Sequence, residues 1–181
     1  GYFDGTLHCD VLDLAGTEHT SITSGLTTAS QWRLTSDFTD GADPISSNLE
    51  EVDGTGQGVL GSSMTESSGI FTFPSTGYWL INAEASFRTA NSESERSHGL
   101  NIDVTTDNSS YTSGVATAQG SGFDSNDATD YKVGCMLILD VTNTTNVKVK
   151  FRVSRVTSGS ITRGSSSTNL TSFTFIRLGD T

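Results

Sequence analysis

The chain has 181 residues, a formal net charge of −11 and a sequence pI near 4.4, with only 17% charged residues. That length suits one domain with an arm. The acidity excludes a binder of phosphate backbones or of anionic membrane surfaces, both of which require a positive field. No apolar run is long enough for a membrane-spanning helix, so no membrane insertion is expected.

The first 29 residues read as an arm or linker ahead of a head domain spanning 30–181. Tyr2, Phe3, Leu7, Val11, Leu12 and Leu14 are apolar but lie outside any strand pattern, and Thr17 to Ser30 has the composition of a connector. Such a segment cannot bury those side chains alone. It reads as an anchor that orders on a partner surface, or as an extra strand on the edge of its own head. The chain opens on Gly1 rather than Met, so an upstream portion, removed or lying outside this sequence, is expected.

The head begins with the alternation of Trp32 and Leu34 in "QWRLTSDF", a first strand. "TDGADP" is a turn cluster, and Leu49 to Val52 is too short for a helix. The run Gly54, Gly56, Gly58 lacks the Lys-Ser/Thr ending of a phosphate loop. In "GIFTFPSTGYWLINAEASF", Phe71 and Phe73 share a side, and Pro74 to Gly77 make a bend. Trp79, Ile81, Ala83, Ala85 and Phe87 then share one face of a strand. The opposite face opens on Tyr78 and Leu80 before turning polar at Asn82, Glu84 and Ser86.

Leu100, Ile102 and Val104 alternate next. "TTDNSSYTSG" reads as a turn, and "VATAQGSGFDSNDATD" as a long polar loop. Tyr131, Val133, Cys135, Leu137, Leu139 and Val141 form a long strand face. After a "TNTTN" turn, Val147, Val149, Phe151 and Val153 face inward against Lys148, Lys150 and Arg152. "TSGSITRGSSSTN" is a loop, and Phe173 and Phe175 share a face in the closing strand. Seven to ten strands at this spacing predict an all-β, antiparallel two-sheet sandwich.

The order aromatic-x-aromatic-Pro-x-x-Gly-aromatic-aromatic at Phe71 to Trp79 resembles the core signature of the tumour necrosis factor and complement globular-head superfamily. "SFTFIRLGDT" is similar to that family's last strand, and "YKVGCMLILDVTNTTNVKVKFRV" to the strand pair before it. The resemblance covers about residues 30–181 and implies a jelly roll that assembles as a homotrimer. In that family the face near the signature lies toward a three-fold axis, which implies an interface at Tyr78 and Leu80. The collagen-like stalk of the complement type is absent. The Thr/Asn/Ser-rich loops and the terminal "TFIRLGDT" look more like jelly-roll virion proteins of bacteriophages.

No catalytic or cofactor constellation emerges. His8, His19 and His98 have no zinc-like spacing. No G-x-S-x-G elbow accompanies the abundant serines. Cys9 and Cys135 are read as two reduced thiols. The sequons at Asn108, Asn143 and Asn169 matter only in a secreted eukaryotic protein. Asp124, Asn126, Asp127 and Asp130 form either a solvated turn loop or an oxygen-ligand calcium site. Glu93 and Glu95 belong to another solvated loop. Lys148, Lys150, Arg152 and Arg155 make a solvated outer face, or one complementary to an acidic neighbour.

Two functions fit. One is a non-enzymatic virion surface protein, a trimeric jelly roll attached through its amino-terminal arm to a capsid or tail protein. The other is a secreted or surface-displayed trimeric module recognising a receptor or glycan.

Overall fold

A computed structural model describes residues 25–90, 97–120, 127–156 and 160–181, together with the backbone of two short strands ahead of them. Those two are β1 (Leu12–Leu14) and β2 (Thr17–His19), which among the described strands pair with each other alone. The head then runs through β3 (Ala29–Leu34), β4 (Phe38–Thr39), β5 (Leu49–Glu51), β6 (Thr65–Ser67), β7 (Ile70–Thr72) and β8 (Gly77–Thr89). It continues with β9 (Ser97–Thr105), β10 (Thr112–Gly120), β11 (Thr129–Val141), β12 (Lys148–Ser154), β13 (Ile161–Thr162) and β14 (Ser172–Gly179). No helix occurs among the described residues.

Two antiparallel sheets result. The five-stranded sheet has the order β10-β9-β12-β7-β6. The seven-stranded sheet has the order β4-β13-β8-β14-β3-β5, with β11 on the other side of β8. Consecutive strands of the second sheet come from distant parts of the chain: β14 lies between β8 and β3. This is the two-sheet jelly roll the alternation predicts.

The inner faces fit the sequence reading closely. Trp79, Ile81, Ala83, Ala85 and Phe87 are all fully buried, as are Phe173 and Phe175. Phe71 touches four aromatic rings, with centroids 5.5 Å from Trp32, 5.4 Å from Phe151, 6.1 Å from Phe173 and 5.3 Å from Phe175. Large rings are concentrated here because a thin sandwich built from Ser and Thr has few apolar residues to spend, and each ring buries much area.

The Pro-Gly bend is latched from both sides. Trp79 Nε1 donates to the Ser75 carbonyl at 3.2 Å, and Arg177 Nε donates to that of Thr76 at 2.9 Å. Gly77 has φ +132°, and a Cβ there would lie 2.3 Å from the Gly179 carbonyl oxygen. Only glycine satisfies both the dihedral and the close approach.

One segment differs from the sequence reading. Residues 112–120, taken as parts of a turn and a loop, form the nine-residue strand β10. It is an edge strand with most of its residues exposed, so burial imposes no alternation on it. Its pairing to β9 is what makes it a strand. Short ladders also occur at "LEE", "TES" and "IT", where no strand was expected.

Candidate interaction face

The outward side of the seven-stranded sheet carries the unusual surface. Strand β8 sends Tyr78, Leu80, Asn82, Glu84, Ser86 and Arg88 to this side. Its partner β11 sends Asp140, Ile138, Met136, Gly134, Lys132 and Asp130. Register aligns these into rows. Ile138 lies opposite Leu80, Leu80 opposite Ile176, Ile176 opposite Ala29, and Ala29 bridges to Leu60. Five apolar side chains therefore cross the sheet in one line, with no charge among them. Met136 and Tyr78 flank the line.

Exposure is high for residues of this type: 64% for Met136, 61% for Ile138, 43% for Tyr78 and 48% for Leu60. Scattered exposed apolar residues are ordinary on a soluble protein; here the ends of the row, Ile138 and Leu60, are exposed, its middle members Leu80, Ile176 and Ala29 are half-buried, and together they make this face a candidate contact surface. The predicted pair Tyr78 and Leu80 lies in this patch. Met136, Ile138, Ile176 and Leu60 were not singled out in the sequence. The signal was there: "YWLI" and "CMLIL" are apolar at consecutive positions, so both faces of each strand are apolar, not one.

Beyond the apolar row the same face turns polar. Gln31 Nε2 donates to Thr174 Oγ1 at 2.8 Å, and Asn169 Nδ2 donates to Gln31 Oε1 at 2.7 Å. Arg33 is buried on this side, with ion pairs to Glu50 at 2.6 Å and Asp53 at 3.0 Å. At the far end Lys132 meets Glu84 at 2.6 Å. There too Asp130 accepts from Arg88 at 2.9 Å and from Arg163 at 3.1 Å. Asp130, considered above as a calcium ligand, is thus committed to two guanidinium groups. Asp127 accepts from the Ala128 amide at 2.7 Å. Asp124 and Asn126 lie outside the described residues, as do Glu93 and Glu95.

The opposite outer face, on the five-stranded sheet, satisfies itself. Arg152 grips Asp103 with bonds of 2.8 and 3.2 Å, and Lys150 meets Asp43 at 2.5 Å. The bonds to Asp103 hold the Arg152 guanidinium above its ordinary pKa. A polar ladder runs alongside: Ser154 Oγ donates to Asn101 Oδ1, and Asn101 Nδ2 to Ser113 Oγ, at 2.9 and 3.1 Å. The basic row is therefore neither a bare solvated face nor an open docking site for an acidic neighbour at Lys150 and Arg152. Their charges are paired within the chain.

His98 is fully buried. It stacks on Phe87 with centroids 4.7 Å apart and lies 5.4 Å from Tyr131. It is a core residue, in phase with Leu100, Ile102 and Val104. Cys135 is half-buried, and burial pushes its thiol up to about 11. Asn169 spends its side-chain nitrogen inside the protein, whereas Asn108 and Asn143 are exposed. Of the arm residues, Leu12 and Leu14 fall in β1, while Tyr2, Phe3, Leu7 and Val11, with His8 and Cys9, lie outside the described residues.

No family model and no curated protein matches the sequence. Solved structures do match in fold. An Eiger TNF from S. frugiperda superposes with a TM-score of 0.66 at 10% identity, covering 87% of this chain and 96% of that one. Murine APRIL at pH 5.0 gives 0.55 at 9% identity, covering 83% and 98%; the structure at pH 8.5 gives 0.54 at 10%, covering 83% and 98%. At such identities the likeness concerns backbone architecture, and the head has a tumour necrosis factor-like jelly-roll fold.

Proposed function

We propose that the protein is a non-enzymatic binding module that works outside the cell as a homotrimer, displaying its loops to a receptor or glycan. The observation that carries this reading is the uncharged row Ile138–Leu80–Ile176–Ala29–Leu60 on the outside of a tumour necrosis factor-like sheet. Copies of a chain with net charge −11 repel one another. Their contact is therefore favoured where charge is absent and apolar area is exposed, and on this face that is the row. A closed ring buries such a patch on every copy without leaving one open. Three is the number implied by the family resemblance. Sedimentation at micromolar concentration tests it: the wild type should run at three times the 19.1 kDa chain mass. A monomer at that concentration refutes the assembly.

A second setting, the surface of a virion, is favoured by one observation: β1 and β2 pair with each other and join neither large sheet. The amino-terminal segment would then serve as the attachment arm to a capsid or tail protein. A chain lacking residues 1–24 should still sediment as three times its own shortened mass and lose its particle. If the truncated head loses its fold or its trimeric state, the arm reading fails.

A further inference from the structure

The outer face of the seven-stranded sheet ends in a notch of about 310 Å³, lined by Ser86, Asp130, Tyr131, Lys132, Arg163 and Leu170. Its frame is fixed through one residue. The Ser86 amide donates to Thr171 Oγ1 at 3.1 Å, Ser86 Oγ donates to the Leu170 carbonyl at 2.8 Å, and the Arg163 amide donates to the Ser86 carbonyl at 2.8 Å. Both ends of the 163–171 connection are thereby pinned to β8.

The notch holds spare donors. Three cations, Arg88, Lys132 and Arg163, meet three carboxylates, Asp130, Glu84 and Asp37. Both Asp130 oxygens are taken, Oδ2 by Arg88 and Oδ1 by Arg163. Lys132 bonds only Glu84 among the described residues, leaving two of its three N–H donors uncommitted. Arg163 uses one terminal nitrogen on Asp130. Its Nε is buried 3.1 Å from Asp37 Oδ2 without the alignment of a hydrogen bond. A ligand entering here meets donors from two cations, with Leu170 as an apolar wall. Unlike Lys150, whose side chain is 15% exposed, Lys132 is 45% exposed, so its remaining donors face an incoming anion in a patch whose own charges balance.

From this arrangement we infer that the notch binds a small carboxylate-bearing ligand of monosaccharide size, an acidic sugar such as a uronic acid. The carboxylate would bridge Lys132 and Arg163, since charge-assisted bonds to both cations favour it over a neutral group. The volume lies at the small end of ligand pockets and is too large for a bare carboxylate. The inference deepens the binding-module reading and rests on it, though not on the trimer.

Calorimetric titration of the full chain at low salt tests it, with glucuronate as probe, glucose as its neutral match and acetate as the bare carboxylate. Glucuronate should saturate, glucose should not bind, and acetate should bind more weakly. Lys132→Ala should weaken glucuronate by about tenfold or more, through loss of a charge-assisted contact. Arg163→Gln should do the same where it folds; Lys132→Ala, which removes only an exposed ion pair, serves where it does not. Failure of glucuronate to saturate, equal binding of glucose or acetate, or an unaffected Lys132→Ala variant overturns the inference. Leu80→Asp with Ile138→Asp should leave glucuronate binding intact. Sedimentation and titration thus fail separately.

Discussion

On the outside of the five-stranded sheet, Asp103 is buried beneath a two-pronged Arg152, and Asn101 is spanned by two serines. On the outside of the seven-stranded sheet, Ile138 and Met136 stand more than half exposed, with no partner side chain above them. Both faces belong to antiparallel strands, longer on the apolar side, where β8 and β11 have 13 residues each. The first face completes its contacts within one chain. The second leaves apolar area that no described residue of the chain covers. A jelly roll has two outsides, and here they differ in how far the described residues satisfy them.

The largest effect expected marks what both faces share. Trp79→Ala opens a cavity in the common core and removes the latch on Ser75, so it should cost about 3–5 kcal/mol of stability in chemical denaturation. An unchanged midpoint would mean that the bend does not depend on this ring.

Next comes the self-satisfied face. Asp103→Ala leaves the Arg152 guanidinium without its principal partner and should cost about 1–3 kcal/mol. Its sedimentation mass should stay that of the wild type. A change in mass would show that this face also lies at an interface, and would erase the contrast.

The apolar face predicts the reverse pattern. Leu80→Asp with Ile138→Asp should abolish association while shifting monomer stability by only about 1 kcal/mol, the range for surface substitutions away from the core. Equal association of the variant and the wild type would place the contact elsewhere.

The smallest effect lies at the loop between β9 and β10, away from both faces. Asp107 accepts from the amides of Ser110 at 2.8 Å and Ser109 at 2.9 Å, and from Thr105 Oγ1 at 2.8 Å. These bonds, the amides first, hold its carboxyl far below the ordinary 3.8. Its folded pKa is thus depressed relative to the unfolded chain. The stabilisation is present above about pH 4 and fades as pH falls through the acid range. Asp107→Asn should flatten part of the acid limb of a stability–pH curve. An unchanged limb would mean that the turn forms without the charge.

The sequence was most legible where burial is one-sided. Trp79 to Phe87, Val147 to Val153 and Phe173 with Phe175 alternate because one neighbour in two faces the core. The signature at Phe71 to Trp79 was equally readable, because proline and glycine each force the backbone there. Three features were hidden, each for a physical reason. Strand β10 is an edge strand whose inner face buries only Val115 and Thr117 partly, so its alternation is too weak to read. In "CMLIL" alternation placed Cys135, Leu137 and Leu139 on one face and so Met136 and Ile138 on the other, but with both faces apolar nothing marked the second as exposed. The fate of Lys150 depended on Asp43, 107 positions away in the chain, a pairing only the fold creates. His98 could have been placed from its phase with Leu100.

The position of β14 also bears on how the protein is made. Residues 172–179 of a 181-residue chain fill the slot between β8 and β3. During synthesis every earlier strand leaves the ribosome before the one that joins the halves of the sheet. Until then β3 and β8 each present an unpaired edge to neighbouring nascent chains, the exposure that chaperones exist to cover. The seven-stranded sheet therefore closes only after β14 has been made, and a chain truncated before Ser172 should yield aggregate instead of a shortened head.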